Sequence, residues 1–360
     1  MKPHVRLALA LTTLIAALAA GCATASRPLH PRALALQAAG VDALGRGELD
    51  RAAGHFALAL EYEPRIGEAE NGLGLVALRR GDWGRAEERF HAALAINEDL
   101  AEAHLNLASV LIHRDDQDGA LIEARAALAI DPGYGDARLL TGELLLRLGK
   151  LDDARWELEK LCAAAPDRAD AHAANALVLA RLGRTSAAEE EARRALELDA
   201  DLPAAHRARA EILRRAGDLE AASRELDVVI ASNGAAIDDR LAHAVVTAGR
   251  GLWPQAAGEL EALIEAAPRR AEVHFAAAFV ALARDEHEAA LRNADAALAL
   301  RAHYPEARLV RAEALSRLGR DAEMRHELNV FLAQAPPWMA AERARAERTL
   351  RARSTILEIQ

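Results

Sequence analysis

Between residues 101 and 134 the apolar positions form two runs at helical spacing, parted by the polar stretch 115–118. That pattern predicts two helices joined by a turn. The same 34-residue pattern recurs along most of the chain. In strides of 34 from Pro64 the chain reads Glu98, Pro132, Pro166, Ala200, Gly234, Pro268, Ala302 and Pro336, so most second helices should stop at a proline. Twenty-four residues before each of these stands a tiny one: Gly40, Gly74, Ala108, Gly142, Ala176, Ala210, Ala244, Ala278 and Ala312. Twelve places after the tiny residue comes alanine, from Ala52 to Ala290, broken only by Met324. A period held over nine units without insertion predicts a stack of helical hairpins, each burying its apolar face on its neighbours.

The units run from 33–66 to 305–338, and places are counted from the first residue of each. Helix A takes about the first fourteen residues, and helix B runs from about the seventeenth to the thirtieth. Between them sits glycine in seven units, and Asp115 and Asp285 in the other two. A residue just past a helix end adopts the left-handed conformation, which glycine takes without strain. The join 232–236 lacks proline and is rich in turn-prone residues, so a bend is expected there. After Pro337 an arginine- and glutamate-rich helix from Trp338 to about Arg353 should cap the stack, with Met339, Ala340, Ala344 and Leu350 on one face.

The spacing resembles that of the tetratricopeptide repeat family. The matching places are the small eighth residue, the alanine at the twentieth, the leucine or isoleucine at the twenty-eighth and the proline at the thirty-second. The fourth place departs from it. Where the family often has tryptophan, this chain has Leu36, Glu70, His104, Arg138, His172, His206, Arg240, His274 and Arg308. The resemblance implies an all-α fold, a right-handed α-solenoid of about nine helix-turn-helix repeats with a C-terminal capping helix. It also implies a concave groove, built mainly from places two, five, nine, twelve and thirteen of helix A, that binds proteins or peptides. Places five, nine and twelve share one face by helical spacing. The expected partner-binding residues are Leu105, Ile112, Leu139, Leu146, Arg207, Arg214, Leu241, Phe275, Phe279 and Leu282. This floor is apolar at both ends, with a charged patch in the sixth repeat. Asn106 alone hints at a clamp for a peptide carboxylate, and the lysines of such a clamp are missing.

The amino terminus changes where that scaffold should work. Residues 1–21 carry Lys2 and Arg6 and then an apolar run, the pattern of a secretory signal. The run ends Leu18-Ala19-Ala20-Gly21-Cys22, which resembles a bacterial lipoprotein signal cleaved before a lipidated Cys22. The other reading is an ordinary leader cut nearby, with Cys22 an incidental thiol. Ala23 after the cysteine resembles the signal for outer-membrane sorting, facing the periplasm. Residues 22–32 then form a lipidated tether, 33–338 the repeats, and 339–360 the capping helix and tail. Cys162, the other cysteine, stands where its equivalents are leucine and isoleucine and reads as a small core residue.

A net charge of −10 without a clustered basic stripe speaks against nucleic acid as a partner. There is no Gly-rich phosphate loop, His-Glu-x-x-His, paired cysteines for zinc or nucleophile elbow. No enzyme, cofactor, metal or small-molecule substrate is therefore expected. His104, His172, His206 and His274 lie one repeat period apart or more, too far to meet at one ion, and are expected to pack between successive A helices. Acids at the second place and bases at the thirteenth fit either groove walls or the helix dipole. The expected function is a non-catalytic scaffold for an envelope assembly. Similar lipoproteins include those of pili and secretins, and the alternative is an adaptor for peptidoglycan or exopolysaccharide enzymes.

Overall fold

The computed structural model describes residues 28–232 and 235–357, with side chains as far as residue 351. The leader, Cys22, and Asn233 and Gly234 of the join expected to bend lie outside the described residues. Among the described residues there are nineteen α-helices and no strand.

Two compact units divide at Leu144/Leu145. In the first, α1 (Pro31–Gly45) packs with α2 (Leu49–Tyr62), α3 (Gly67–Arg79) with α4 (Trp83–Ile96), and α5 (Ala101–His113) with α6 (Gln117–Ile130), each pair also meeting the next. The division falls within α7 (Gly135–Arg147). The second unit continues with α8 (Leu151–Ala164), α9 (Ala169–Arg181), α10 (Thr185–Leu198), α11 (Pro203–Ala216) and α12 (Leu219–Ala231). It ends with α13 (Ile237–Gly249), α14 (Trp253–Ala266), α15 (Ala271–Ala283), α16 (His287–Leu300), α17 (Pro305–Arg317), α18 (Asp321–Gln334) and α19 (Ala340–Leu357). Consecutive helices pack on one another within this unit too. This is an α-solenoid of helix pairs, placed where the period puts them.

Every A helix ends in the same way. The residue at place fifteen has positive φ, including Asp115 at 63° and Asp285 at 60°. That turn directs the next N–H back onto a carbonyl five residues upstream, as in Asp116 to Leu111 at 2.9 Å and Arg320 to Leu315 at 2.9 Å. These bonds satisfy carbonyls that the helix end would otherwise leave bare. Three B helices begin with an aspartate cap, Asp82, Asp116 and Asp218, each accepting from the N–H three residues on at 2.9–3.1 Å.

The tiny eighth residue answers the size of the side chain at place twenty-four. A Cβ on Gly40 would stand 2.6 Å from the ring of Phe56, and one on Gly74 would stand 2.4 Å from the ring of Phe90. Opposite Leu226, Leu260 and Leu328 the eighth residue is Ala210, Ala244 and Ala312, in the same cores, while the fourth repeat keeps Gly142 with Leu158. Glycine makes room for phenylalanine here, and alanine suffices for leucine.

The fourth place corrects the expectation of packing between A helices. His104 Nδ1 lies 2.6 Å from Glu123 Oε2, on the B helix of its own repeat, and Nε2 lies 3.1 Å from Glu98 O. His172 and His206 repeat both contacts with Glu191 and Pro166 O, and with Glu225 and Ala200 O. Arg308 does the same with Glu327 at 3.0 Å and Ala302 O at 2.9 Å. In the second repeat the charges are exchanged, Arg89 donating to Glu70 at 2.8 Å. In the seventh repeat Glu259 pairs with His243, sixteen residues earlier, whereas in these five the brace spans nineteen residues, from helix A to helix B. His274 faces Asn293 in that register, keeps only Pro268 O at 2.9 Å, and leaves its buried Nδ1 without a partner.

At the C-terminus a single 3-10 turn (Pro337–Met339) precedes α19. Its inner face is Met339, Ala346 and Leu350, which close the core over Met324 and Phe331. Ala340, expected on that face, is exposed. Arg343 sets the rotation by donating to Leu332 O and Ala335 O, at 2.7 and 3.0 Å, at the end of α18.

Candidate functional site

In the first unit Leu105, Ile112 and Leu139 are all half-buried. Leu105 rests on the Ala101, Ala127 and Ala137 cluster. Asn106 donates its amide to Asn71 Oδ1 at 2.9 Å, an asparagine pair between successive A helices. Beside them the ring of His113 stacks on Trp83, centroids 3.7 Å apart.

The second unit separates the expected residues into two kinds. Leu146 is buried, so it belongs to the core. Arg207 donates from Nε and Nη2 to both oxygens of Asp239, at 2.5 and 2.9 Å, and Asp239 is 4% exposed. The same carboxylate accepts from the N–H of Ala236 at 2.8 Å. Arg207 therefore ties α11 to the start of α13, a clamp that periodicity alone does not reveal. Arg214 is paired with Glu211 through two bonds of 2.8 and 2.9 Å, and Arg215 takes the same carboxylate at 2.7 Å. Burial alone would raise the Glu211 carboxyl, but the bonds and charges of the two arginines outweigh it and hold it below the usual range.

Leu241 and Phe275 are half-buried. Leu241 rests on the Ala244 and Leu260 core, and Phe275 on Ala278, Ala294 and Val310. Tyr304 covers the Phe275 ring at 5.0 Å. Burial, then the charge of Glu272, pushes that phenol up to about 12, so it stays a neutral hydroxyl.

Phe279 is different: 49% exposed, with Trp253 at 6.5 Å as its aromatic neighbour. At the equivalent place of the seventh repeat, Val245 is also exposed. Phe279 and Leu282 line a cavity of about 370 Å³ together with Leu309, Met324, and Arg345 and Ala346 of α19. Its rim carries Asp285, Glu313, Arg317 and Glu342. An apolar hollow with a charged rim can take one apolar side chain of a partner and hold the polar groups around it. The contribution of α19 was not visible in the repeat pattern, because that helix lies outside the period.

One set of donor atoms meets away from this face. Cys162 Sγ, His172 and Glu191 place their ligand atoms within 4.8 Å of one another. The signal in the sequence was a cysteine in a leucine place, ten residues before a fourth-place histidine.

Two family profiles described as tetratricopeptide repeat match this chain, one over residues 38–87 and 71–135 and the other over 116–178. No curated protein matches. Among solved structures, a tetratricopeptide repeat protein from Parabacteroides merdae is 17% identical, with a TM-score of 0.55 over 70% of this chain and 99% of that one. The structure of the APC/C hetero-tetramer Cut9-Hcn1 is 14% identical, with a TM-score of 0.60 over 78% of this chain and 55% of that one. Pseudomonas aeruginosa pilF overlays with a TM-score of 0.44 at 23% identity, over 59% of this chain and 97% of that one. The overlay on pilF is too low to carry an argument. At these identities the other two likenesses concern the fold. With the profiles on residues 38–178, and the same helix pair recurring from there to residue 334, the chain belongs to the tetratricopeptide repeat family, in general a non-catalytic scaffold for protein–protein interaction.

Proposed function

We propose that this protein is an outer-membrane lipoprotein facing the periplasm, which holds a partner polypeptide of an envelope assembly against the A-helix face of repeats seven to nine. The observation that carries the binding face is Phe279, a large apolar side chain half in solvent beside an apolar hollow. Such a patch costs solvation until something covers it, and an inserted partner side chain removes that cost. The envelope location rests on the sequence of residues 1–22: two cations, an apolar run and a cysteine after Ala-Gly. Acyl chains on Cys22 would hold the scaffold at the membrane while the repeats face the periplasm. Among the described residues no helix is long and apolar enough to cross a membrane.

Phe279→Glu tests the face cleanly, whereas Phe275 is packed under Tyr304 and its replacement would damage the fold. Affinity purification from the native envelope should recover a partner with the unaltered chain and lose it with Phe279→Glu, at equal helicity and melting temperature. Equal recovery by both would remove this face from consideration. Cys22→Ser should shift the protein from the membrane to the soluble periplasmic fraction. Unchanged fractionation would count against the lipid anchor.

A further inference from the structure

We infer that Cys162, His172 and Glu191 form a site for a borderline-soft divalent transition metal, with zinc(II) as the best fit, linking three successive helices. Helix α8 supplies the thiol, α9 the imidazole and α10 the carboxylate, and the donor atoms already lie within 4.8 Å of one another. The cysteine and histidine are buried, and the carboxylate is half-buried.

The chain contains its own controls. The pairs His104–Glu123 and His206–Glu225 reproduce the His172–Glu191 geometry, with Nδ1 to Oε2 distances of 2.6–2.7 Å in all three. In those repeats the twenty-eighth place of the preceding unit holds Leu94 and Leu196, and here it holds Cys162. The histidine–glutamate brace therefore serves the fold wherever it occurs. The thiol adds nothing to that brace, and as a packing residue it fills less space than leucine. A sulfur, a nitrogen and an oxygen donor around one point form a set that zinc accepts, with three protein ligands and water in the fourth position.

The orientation of the imidazole fits as well. Its Nε2 lies 3.2 Å from Pro166 O, and a carbonyl only accepts, so Nε2 carries a hydrogen and Nδ1 faces the other donors. A ligating histidine characteristically gives its second N–H to a backbone carbonyl in this way. Without metal, the 2.6 Å contact between Nδ1 and the carboxylate is held by a proton. Zinc takes the place of the hydrogen in that contact and of the one on sulfur, and no oxidation state changes. Metal–ligand lengths of about 2.0–2.3 Å set donor separations of roughly 3.3–3.7 Å, so the His172–Glu191 pair opens slightly as the sulfur moves in. Burial, then the charge of Glu191, pushes the free thiol up to about 12, a bias that a cation between them reverses.

The test uses the full chain carrying Cys22→Ser, in which Cys162 is the sole thiol, titrated with cobalt(II) and then zinc(II). A sulfur-to-cobalt charge-transfer band in the near ultraviolet should appear at one ion per chain and be displaced by zinc. Cys162→Leu installs the residue of the sister repeats and should remove the band and weaken zinc binding more than 100-fold, with helicity retained. Glu191→Gln should weaken cobalt at least tenfold. Absence of the band in the Cys22→Ser chain, or its persistence after Cys162→Leu, would overturn the assignment.

Discussion

Gly74→Ala is a small change with a calculable sign. The added methyl would stand 2.4 Å from Phe90 Cε1 and within 2.9 Å of two further ring atoms. The ring is fully buried among Ala77, Ala86, Leu107 and Val110, so it has nowhere to go. Overpacking of this kind costs about 1–3 kcal/mol. Against it, alanine in a helix interior gains about 0.5–1 kcal/mol over glycine. The substitution should therefore destabilise by about 0.5–2 kcal/mol net. In a Phe90→Leu background the obstacle is gone, and the pair becomes the alanine–leucine pair that the chain uses at Ala210–Leu226 and Ala312–Leu328. There the same Gly74→Ala should stabilise, by up to about 1 kcal/mol. The coupling between the two sites is then about 1–3 kcal/mol. Repeat arrays do not always melt as one unit, so native-state hydrogen exchange of residues 67–96 is the measurement that localises the effect. An equal loss in both backgrounds would show that the eighth place is small for some reason other than the ring above it.

Two further outcomes follow from the polar contacts. Asn293→Glu should supply the missing partner of His274 Nδ1 and raise stability by about 1 kcal/mol, read as slower exchange over residues 271–300; no gain would mean that register alone does not make the brace. For Glu211, a folded pKa below the unfolded value near 4.3 means stability present above that pH and lost as pH falls through the folded value. Glu211→Gln should therefore lower the melting temperature at pH 7, and the difference should shrink below pH 4; a difference that widens with acid would refute the assignment of its arginine partners.

The periodicity conveyed what recurs and little else. Helix placement, the left-handed turns at Asp115 and Asp285, and the fit of small eighth residues against place twenty-four all follow from a repeated local geometry. Side chains that meet across a join follow no such rule. Arg207 shares a helical face with Glu211 and Arg214, yet Asp239, thirty-two residues on, claims it. Phe275 and Phe279 share a face too, yet Tyr304 covers only the first. The fourth-place histidines showed their own recurrence, but their carboxylate partners became evident only when places four and twenty-three were seen facing each other. Cys162 was hidden for the same reason: in one dimension it is a shortened leucine, and in three it stands beside a histidine and a glutamate.

The nineteen-residue brace has a consequence for how such a chain can change length. One end of each brace is answered by a side chain of the same repeat and the other by a backbone oxygen, which any residue type provides. A copied or deleted block of thirty-four therefore opens no brace in its neighbours, and the reversed polarity of Glu70 and Arg89 stays within its own repeat. A spliced array assembled from any order of its blocks should keep every brace closed, and the charges it can strand are those of pairs that bridge two repeats, such as Arg207 and Asp239.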